Sequence, residues 1–69
     1  MLNNQVIANR IKSLRKEKGM TQYELAHKIG VSVSTITMYE NGERIPRDDI
    51  KVKLSEALNE SIQHIFFDR

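Results

Sequence analysis

Cysteine is absent from the sequence, which removes both a disulfide framework and a thiolate metal site as ways of holding the chain together. Proline occurs once and glycine three times in 69 residues. So few breakers, with 39% hydrophobic residues, predict compact and mostly helical structure. Long apolar runs are missing too. No segment approaches the roughly 20 apolar residues that a membrane-spanning helix needs. The opening stretch MLNNQVIANR lacks the basic-then-apolar order of a signal peptide. These absences predict one domain over residues 1–69, with a thin core and a cytoplasmic setting. They leave no room for a separate ligand-binding or catalytic domain. No enzyme activity, cofactor, small-molecule ligand or membrane contact is therefore expected.

A strong charge of one sign is also missing, since the net charge is only +2, but what charge there is lies unevenly. Residues 1–30 hold six Lys/Arg against two acids, and residues 31–69 hold five against seven. A positive front half suits a polyanionic partner or a solvated helix face, and charge alone does not separate the two.

What is present is helical spacing. Ile7, Ile11 and Leu14 recur at i, i+4 and i+7, which predicts a first helix from about Asn4 to Lys18, ended by Gly19. Thr21 reads as an N-cap, and Glu24 three residues on completes a capping box for a second helix with Leu25 and Ile29 buried. Gly30 stops that helix, Val31 plugs the corner, and Ser32 caps a third helix that ends at Asn41-Gly42. Asp48 is the expected cap of a fourth helix, with Asp49 against its positive end and Ile50, Leu54, Ala57 and Leu58 on its buried side. Asn59 ends it. Ser61 is expected to cap a short fifth helix with Ile62, Ile65 and Phe66 inward, leaving Phe67 to cap the core or to serve a partner surface.

The informative spacing surrounds the sharp turn. Two helices meeting steeply over a short turn need a small residue at their crossing, a residue that tolerates positive φ at the corner, and apolar residues inside the angle. Ala26 meets the first need, Gly30 the second, and Leu25, Ile29, Val31 and Ile36 the third. This is a helix-turn-helix pattern. Its second helix is unusual, because Ser32, Val33, Ser34, Thr37 and Met38 lie away from the core residue Ile36, with Thr35 at the margin. Short side chains let a helix backbone approach base edges in a DNA major groove. Hydroxyls can donate or accept there, and Val, Met and Thr methyl groups can touch thymine methyls. Gln22, first after the cap of the second helix, has free N–H groups and an amide with which to meet a phosphate. Asn41, Arg44 and Arg47 stand near the far end of the third helix, where the two arginines are either phosphate contacts or solvated charges.

The segment RIKSLRKEKGMTQYELAHKIGVSVSTITMYENGERIP resembles the lambda-repressor-like, Cro/cI or XRE family of DNA-binding domains. The likeness is most specific at Arg15…Thr21-Gln22, at the Ala26/Gly30 turn, and at Glu40-Asn41-Gly42 followed by Pro46. The resemblance implies an all-α fold of five helices, helix 3 in the major groove, and Gln22 on a phosphate. It also implies a partly buried Arg15–Glu40 pair joining helix 1 to helix 3, with Tyr39 either packing on that pair or reaching a phosphate. Asp48, Lys51, Ser55 and Glu60 stand where the family commonly has Leu, Leu, Ala and Val, which predicts a shifted or loosely packed fourth helix. The family pairs through the region of Asn59–Ile62, so a homodimer on a partly palindromic operator in double-stranded DNA is implied.

The function expected is a small transcriptional regulator, a repressor of phage or mobile-element type. An antitoxin or restriction-modification controller would share its chemistry, and an antirepressor-type protein-interaction module is the alternative of another class. His27 and His64 lie far apart without a Cys or His neighbour, so they read as surface residues and no metal site is expected. No serine has a histidine at a spacing that suggests a nucleophile and its base.

Overall fold

The computed structural model describes residues 1–68. The Asn3 side chain accepts the Val6 N–H at 2.9 Å and so caps α1 (Asn4–Glu17), whose C-cap is Lys18. Thr21 caps α2 (Gln22–Ile29) through the reciprocal pair expected: Glu24 N–H donates to Thr21 Oγ1 at 3.0 Å, and Thr21 N–H donates to Glu24 Oε1 at 2.8 Å. Ser32 caps α3 (Val33–Asn41) by accepting the Thr35 N–H at 3.1 Å.

At α4 (Asp48–Leu58) the expected cap moves by one residue. Arg47 is the N-cap, with ψ 166°, and it makes no side-chain cap hydrogen bond. Its carbonyl accepts the Lys51 N–H at 2.8 Å, so Asp48 is already inside the helix. Asp48 and Asp49 then occupy the first turn, where their charges still face the positive helix end. The cause is local. Two consecutive aspartates offer two registers for the helix start, and the Lys51 N–H on the Arg47 carbonyl takes the earlier one, so Arg47 holds the extended cap position. Asn59 ends α4 in the left-handed region at φ 51°, which its short polar side chain tolerates.

The last turn also differs. Ser61 Oγ accepts the His64 N–H at 3.0 Å, but the helix that follows widens to a π-helix over Gln63–Phe67, closed by Asp68 N–H on the Gln63 carbonyl at 2.7 Å. Among the described residues there are therefore five helices and no strand. Eight large side chains are fully buried, Ile7, Ile11, Leu25, Ile36, Leu54, Leu58, Ile65 and Phe66; they come from all five helices, and each contributes about 1.5–3 kcal/mol by leaving water. Helix α4 is neither shifted nor loose, since Leu54 and Leu58 are fully buried. Lys51, which looked misplaced among apolar residues, covers them instead. Its ammonium sits 5.5 Å from the Phe66 ring centre and 5.9 Å from that of Phe67, while Asp48 accepts from it at 3.4 Å. Phe67 is exposed and closes no part of the core.

The capping box carries a pH signature. The Thr21 backbone N–H, and then the Thr21 side chain, hold the Glu24 carboxyl below its ordinary value of 4.5. A carboxylate with a depressed folded pKa contributes stability that is fully present above the unfolded value and is lost as pH falls through the folded one. Glu24→Ala should therefore lower the melting temperature at pH 7. The gap to the parent should close as pH drops from about 4.5 downward, and a gap of constant size in acid would remove the carboxylate from this account.

Candidate nucleic-acid interface

The turn between α2 and α3 is set by backbone conformation. Gly30 adopts φ 75° and ψ 34°, and the Val31 N–H returns to the Ala26 carbonyl at 3.0 Å. A Cβ added at Gly30 would meet nothing within 4 Å. Space does not select glycine here; the left-handed conformation does. Ala26, 2% exposed, lies where α2 packs into the core. Gly42 ends α3 in the same conformation at φ 77°, and there space matters as well, because a Cβ would lie 3.2 Å from Gln5 Oε1.

A buried ion pair fixes where α3 sits. Arg15 Nε donates to Glu40 Oε2 at 2.7 Å and Arg15 Nη2 to Glu40 Oε1 at 3.1 Å, with the residues 8% and 4% exposed. Arg15 Nη1 also donates to the Met20 carbonyl at 2.7 Å. That third partner lies in the α1–α2 connection, and no side-chain pattern in the sequence announces it. Gln22 joins from α2, its Nε2 donating to Glu40 Oε1 at 3.1 Å and its Oε1 accepting from Thr37 Oγ1 at 3.2 Å. Sequence reading aimed this amide at a phosphate; its first bonds are made inside the protein, 18 and 15 residues away along the chain.

The outward side of α3 carries no charge. Val33 and Ser34 are exposed, Thr35, Thr37 and Met38 are half-buried, and Asn41 is exposed at the far end. The one charged residue of the helix, Glu40, is turned inward. Ser32 and Thr35 share a hydroxyl hydrogen bond at 2.9 Å within the cap. Arg44 and Arg47 are exposed in the following loop, and Arg47 leans to Asp49 at 3.8 Å, an exposed pair of little energetic weight. Of the two expectations for Tyr39, packing or a phosphate contact, its 4% exposure within the core cluster favours packing and leaves at most the hydroxyl edge for a ligand.

Sequence reasoning placed the start of α1 at Asn4 but not its position beside α3. Asn4 Nδ2 donates to the Gly42 carbonyl at 3.5 Å, so the polar Asn4-Gln5 corner stands beside the end of α3. The histidines stay apart and exposed. His27 stacks on Tyr23 at 6.4 Å, and the His64 carbonyl accepts from Arg10. Among the described residues no cluster of His, Cys, Asp and Glu could hold a metal, and no helix is long and apolar enough to cross a membrane.

The helix-turn-helix family model HTH_3 matches residues 11–65, from the middle of α1 to the π-helix. The chain belongs to this family. These are the lambda-repressor-like, or XRE, DNA-binding transcriptional regulators. An HTH-type transcriptional regulator of Archaeoglobus fulgidus is 39% identical over 57 residues, covering 83% of this chain and 81% of the relative. The cryptic phage CTXphi transcriptional repressor RstR of Vibrio cholerae is 36% identical over 59 residues; the match takes in 86% of this chain and 53% of that repressor. The P22 c2 repressor, solved in complex with a synthetic operator, superposes with a TM-score of 0.87 at 30% identity, over 91% of this chain and 96% of that one.

Within this helix-turn-helix frame the Arg15–Glu40 pair is open to a direct test. Glu40→Ala strands a buried guanidinium and should cost about 3–5 kcal/mol of unfolding free energy in a urea titration. Replacing both partners, Arg15→Met with Glu40→Leu, should recover most of that loss. An unchanged urea midpoint for Glu40→Ala would show that the pair contributes nothing.

Proposed function

We propose that the chain is a sequence-specific repressor of phage or mobile-element type, acting on double-stranded DNA in the cytoplasm as a homodimer on a partly palindromic operator. The observation that carries this reading is the uncharged, hydroxyl-rich outer side of α3, held rigidly at its inner side by the Arg15–Glu40 pair. A surface built to bury itself would be apolar, and one built for water alone would carry charge. Short polar and methyl-bearing side chains on a rigid helix suit major-groove base edges. Val33, Ser34, Thr37 and Met38 are the base readers in this scheme, with Ser32 and Thr35 shaping the helix start.

Phosphate contacts then fall to the flanks. An amide NH2 carries two hydrogens, so Gln22 Nε2 keeps one to donate after its bond to Glu40. The first N–H groups of α2 lie beside it and add their positive end. Asn41, Arg44 and Arg47 serve the opposite flank. The mobile-element reading draws on the phage repressors among the relatives. No cofactor, metal or small-molecule ligand enters the scheme, and no catalytic step is assigned.

Selecting binding sites from random duplex DNA tests the whole reading. Val33 or Ser34 substitution should change preference at one or two positions per half-site, by about 1–3 kcal/mol each. Gln22→Ala should weaken strong and weak operators by a similar factor, because phosphate contacts position without specifying. A consensus that survives alanine at Val33, Ser34, Thr37 and Met38 together would remove α3 as the reader.

The dimer is tested separately. Two reading helices must lie about 34 Å apart to meet one face of the duplex. The Asn59–Ile62 turn, with Ile62 half-buried and Phe67 exposed, is the surface available to set that distance. Its polar Glu60 and Ser61 predict a free monomer that pairs cooperatively on DNA. Sedimentation should find a monomer at low micromolar concentration, and a full site should bind far more tightly than a half-site. Equal affinity for the two would exclude the dimer.

A further inference from the structure

We infer that Thr37 reads the operator only as a hydrogen-bond acceptor, and so selects a base that offers an exocyclic amino group to the major groove. The inference rests on the proposed role of α3 and adds to it the polarity of one contact.

A threonine hydroxyl has one hydrogen and two lone pairs. Thr37 Oγ1 lies 3.1 Å from the Val33 carbonyl oxygen and 3.2 Å from Gln22 Oε1. Both neighbours are acceptors, provided the Gln22 amide is the right way round. Its orientation is forced. Gln22 Nε2 faces Glu40 Oε1 at 3.1 Å, and turning the amide over would set a carbonyl oxygen against a carboxylate. Glu40 accepts from the Arg15 guanidinium as well, at 2.7 and 3.1 Å, so both its oxygens serve as acceptors. Polarity therefore runs outward from the buried pair in one direction: Arg15 donates to Glu40, Gln22 donates to Glu40, and Thr37 donates to Gln22 or Val33. In either rotamer of the hydroxyl its hydrogen stays within the protein.

What Thr37 has left is its two lone pairs. It stands one turn after Val33, hence on the same face of α3, and is half-buried where Val33 is exposed. In the major groove adenine N6 and cytosine N4 carry amino donors, whereas guanine N7 and O6 and thymine O4 only accept. An amino group meeting Thr37 adds a hydrogen bond to those already made. An acceptor there must take the hydrogen from Gln22 or Val33, so one bond replaces another and nothing is gained. The difference is one net hydrogen bond, about three- to tenfold in affinity.

The test uses the whole chain and sites selected from random duplex DNA by the parent, Thr37→Ser and the near-isosteric Thr37→Val, with helicity of each confirmed by circular dichroism. The parent and Thr37→Ser should share a preference for adenine or cytosine at one position per half-site, and Thr37→Val should lose it. Removing that amino group, with purine in place of adenine or pyrimidin-2-one in place of cytosine, should weaken the parent about three- to tenfold and leave Thr37→Val unchanged. The inference is overturned if the position lost in Thr37→Val presents guanine or thymine acceptors, if amino removal weakens both proteins equally, or if no position depends on Thr37. In each of those cases a consensus still altered by Val33 or Ser34 substitution leaves the role of α3 standing. A consensus altered by no substitution on α3 removes both.

Discussion

One carboxylate has to satisfy three helices. Glu40 belongs to α3, accepts two hydrogen bonds from Arg15 of α1, and accepts a third from Gln22 of α2. Burying a guanidinium and a carboxylate carries a desolvation penalty of several kcal/mol per ion, which their attraction offsets only when geometry is good and the remaining polar atoms are occupied. Here they are. Arg15 spends its other terminal nitrogen on the Met20 carbonyl, and among the described residues no buried side-chain nitrogen or oxygen lacks a partner. A slip of α3 by one residue would turn Glu40 out of this arrangement and leave Arg15 uncompensated. The pair is thus an all-or-none lock on register, more than a large source of net stability.

That lock explains why α3 can have so little apolar surface. Its buried residues are Ile36, Tyr39 and Glu40, and the first two alone would hold a nine-residue helix weakly. With one inner position given to an ion pair and the corner set by Gly30, the helix is oriented without an apolar stripe wrapping to its flanks. Val33 and Ser34 are then left exposed, and Thr37 and Met38 only half-buried. Rigidity beneath and chemical freedom above are the two properties that a recognition surface requires.

Much of this was legible in the sequence because it is local. Thr21 with Glu24, Ser32 before Val33, and Gly30 after Ile29 are signals spanning three or four residues, and each lies where local chemistry puts it. The five-helix order and the inward residues of α1 and α4 followed from 3.6-residue spacing in the same way. What was not legible is tertiary. The occupation of the Gln22 amide depends on Glu40 and Thr37 arriving from another helix, and the service of Lys51 as a lid depends on two phenylalanines from the π-helix. The cap of α4 lies one position before the expected Asp48 because consecutive aspartates give no register, and the helix takes the start that lets the Arg47 carbonyl accept the Lys51 N–H. The burial of Tyr39 was open in the sequence, since an amphipathic ring suits either side of a helix until its neighbours are known.

The distribution of charge separates affinity from discrimination. A reading helix with no exposed charge gains little from the phosphate backbone, so it holds a wrong sequence hardly more tightly than water does. Salt-dependent attraction grows with the number of neutralised phosphates, and the flanks of α3 offer few cations. Arg44 is exposed, while Arg47 is partly countered by Asp49. Helix α2 contributes N–H groups and an amide, which carry partial charge only. A single module of this kind binds any DNA weakly and the right DNA moderately. Pairing two modules raises the discriminating contribution and the phosphate contribution together, with an effective concentration fixed by the span between reading helices. In the proposed dimer, a weakly self-associating surface at Asn59–Ile62 would keep the free protein dispersed and make the operator itself the template on which the second copy is recruited.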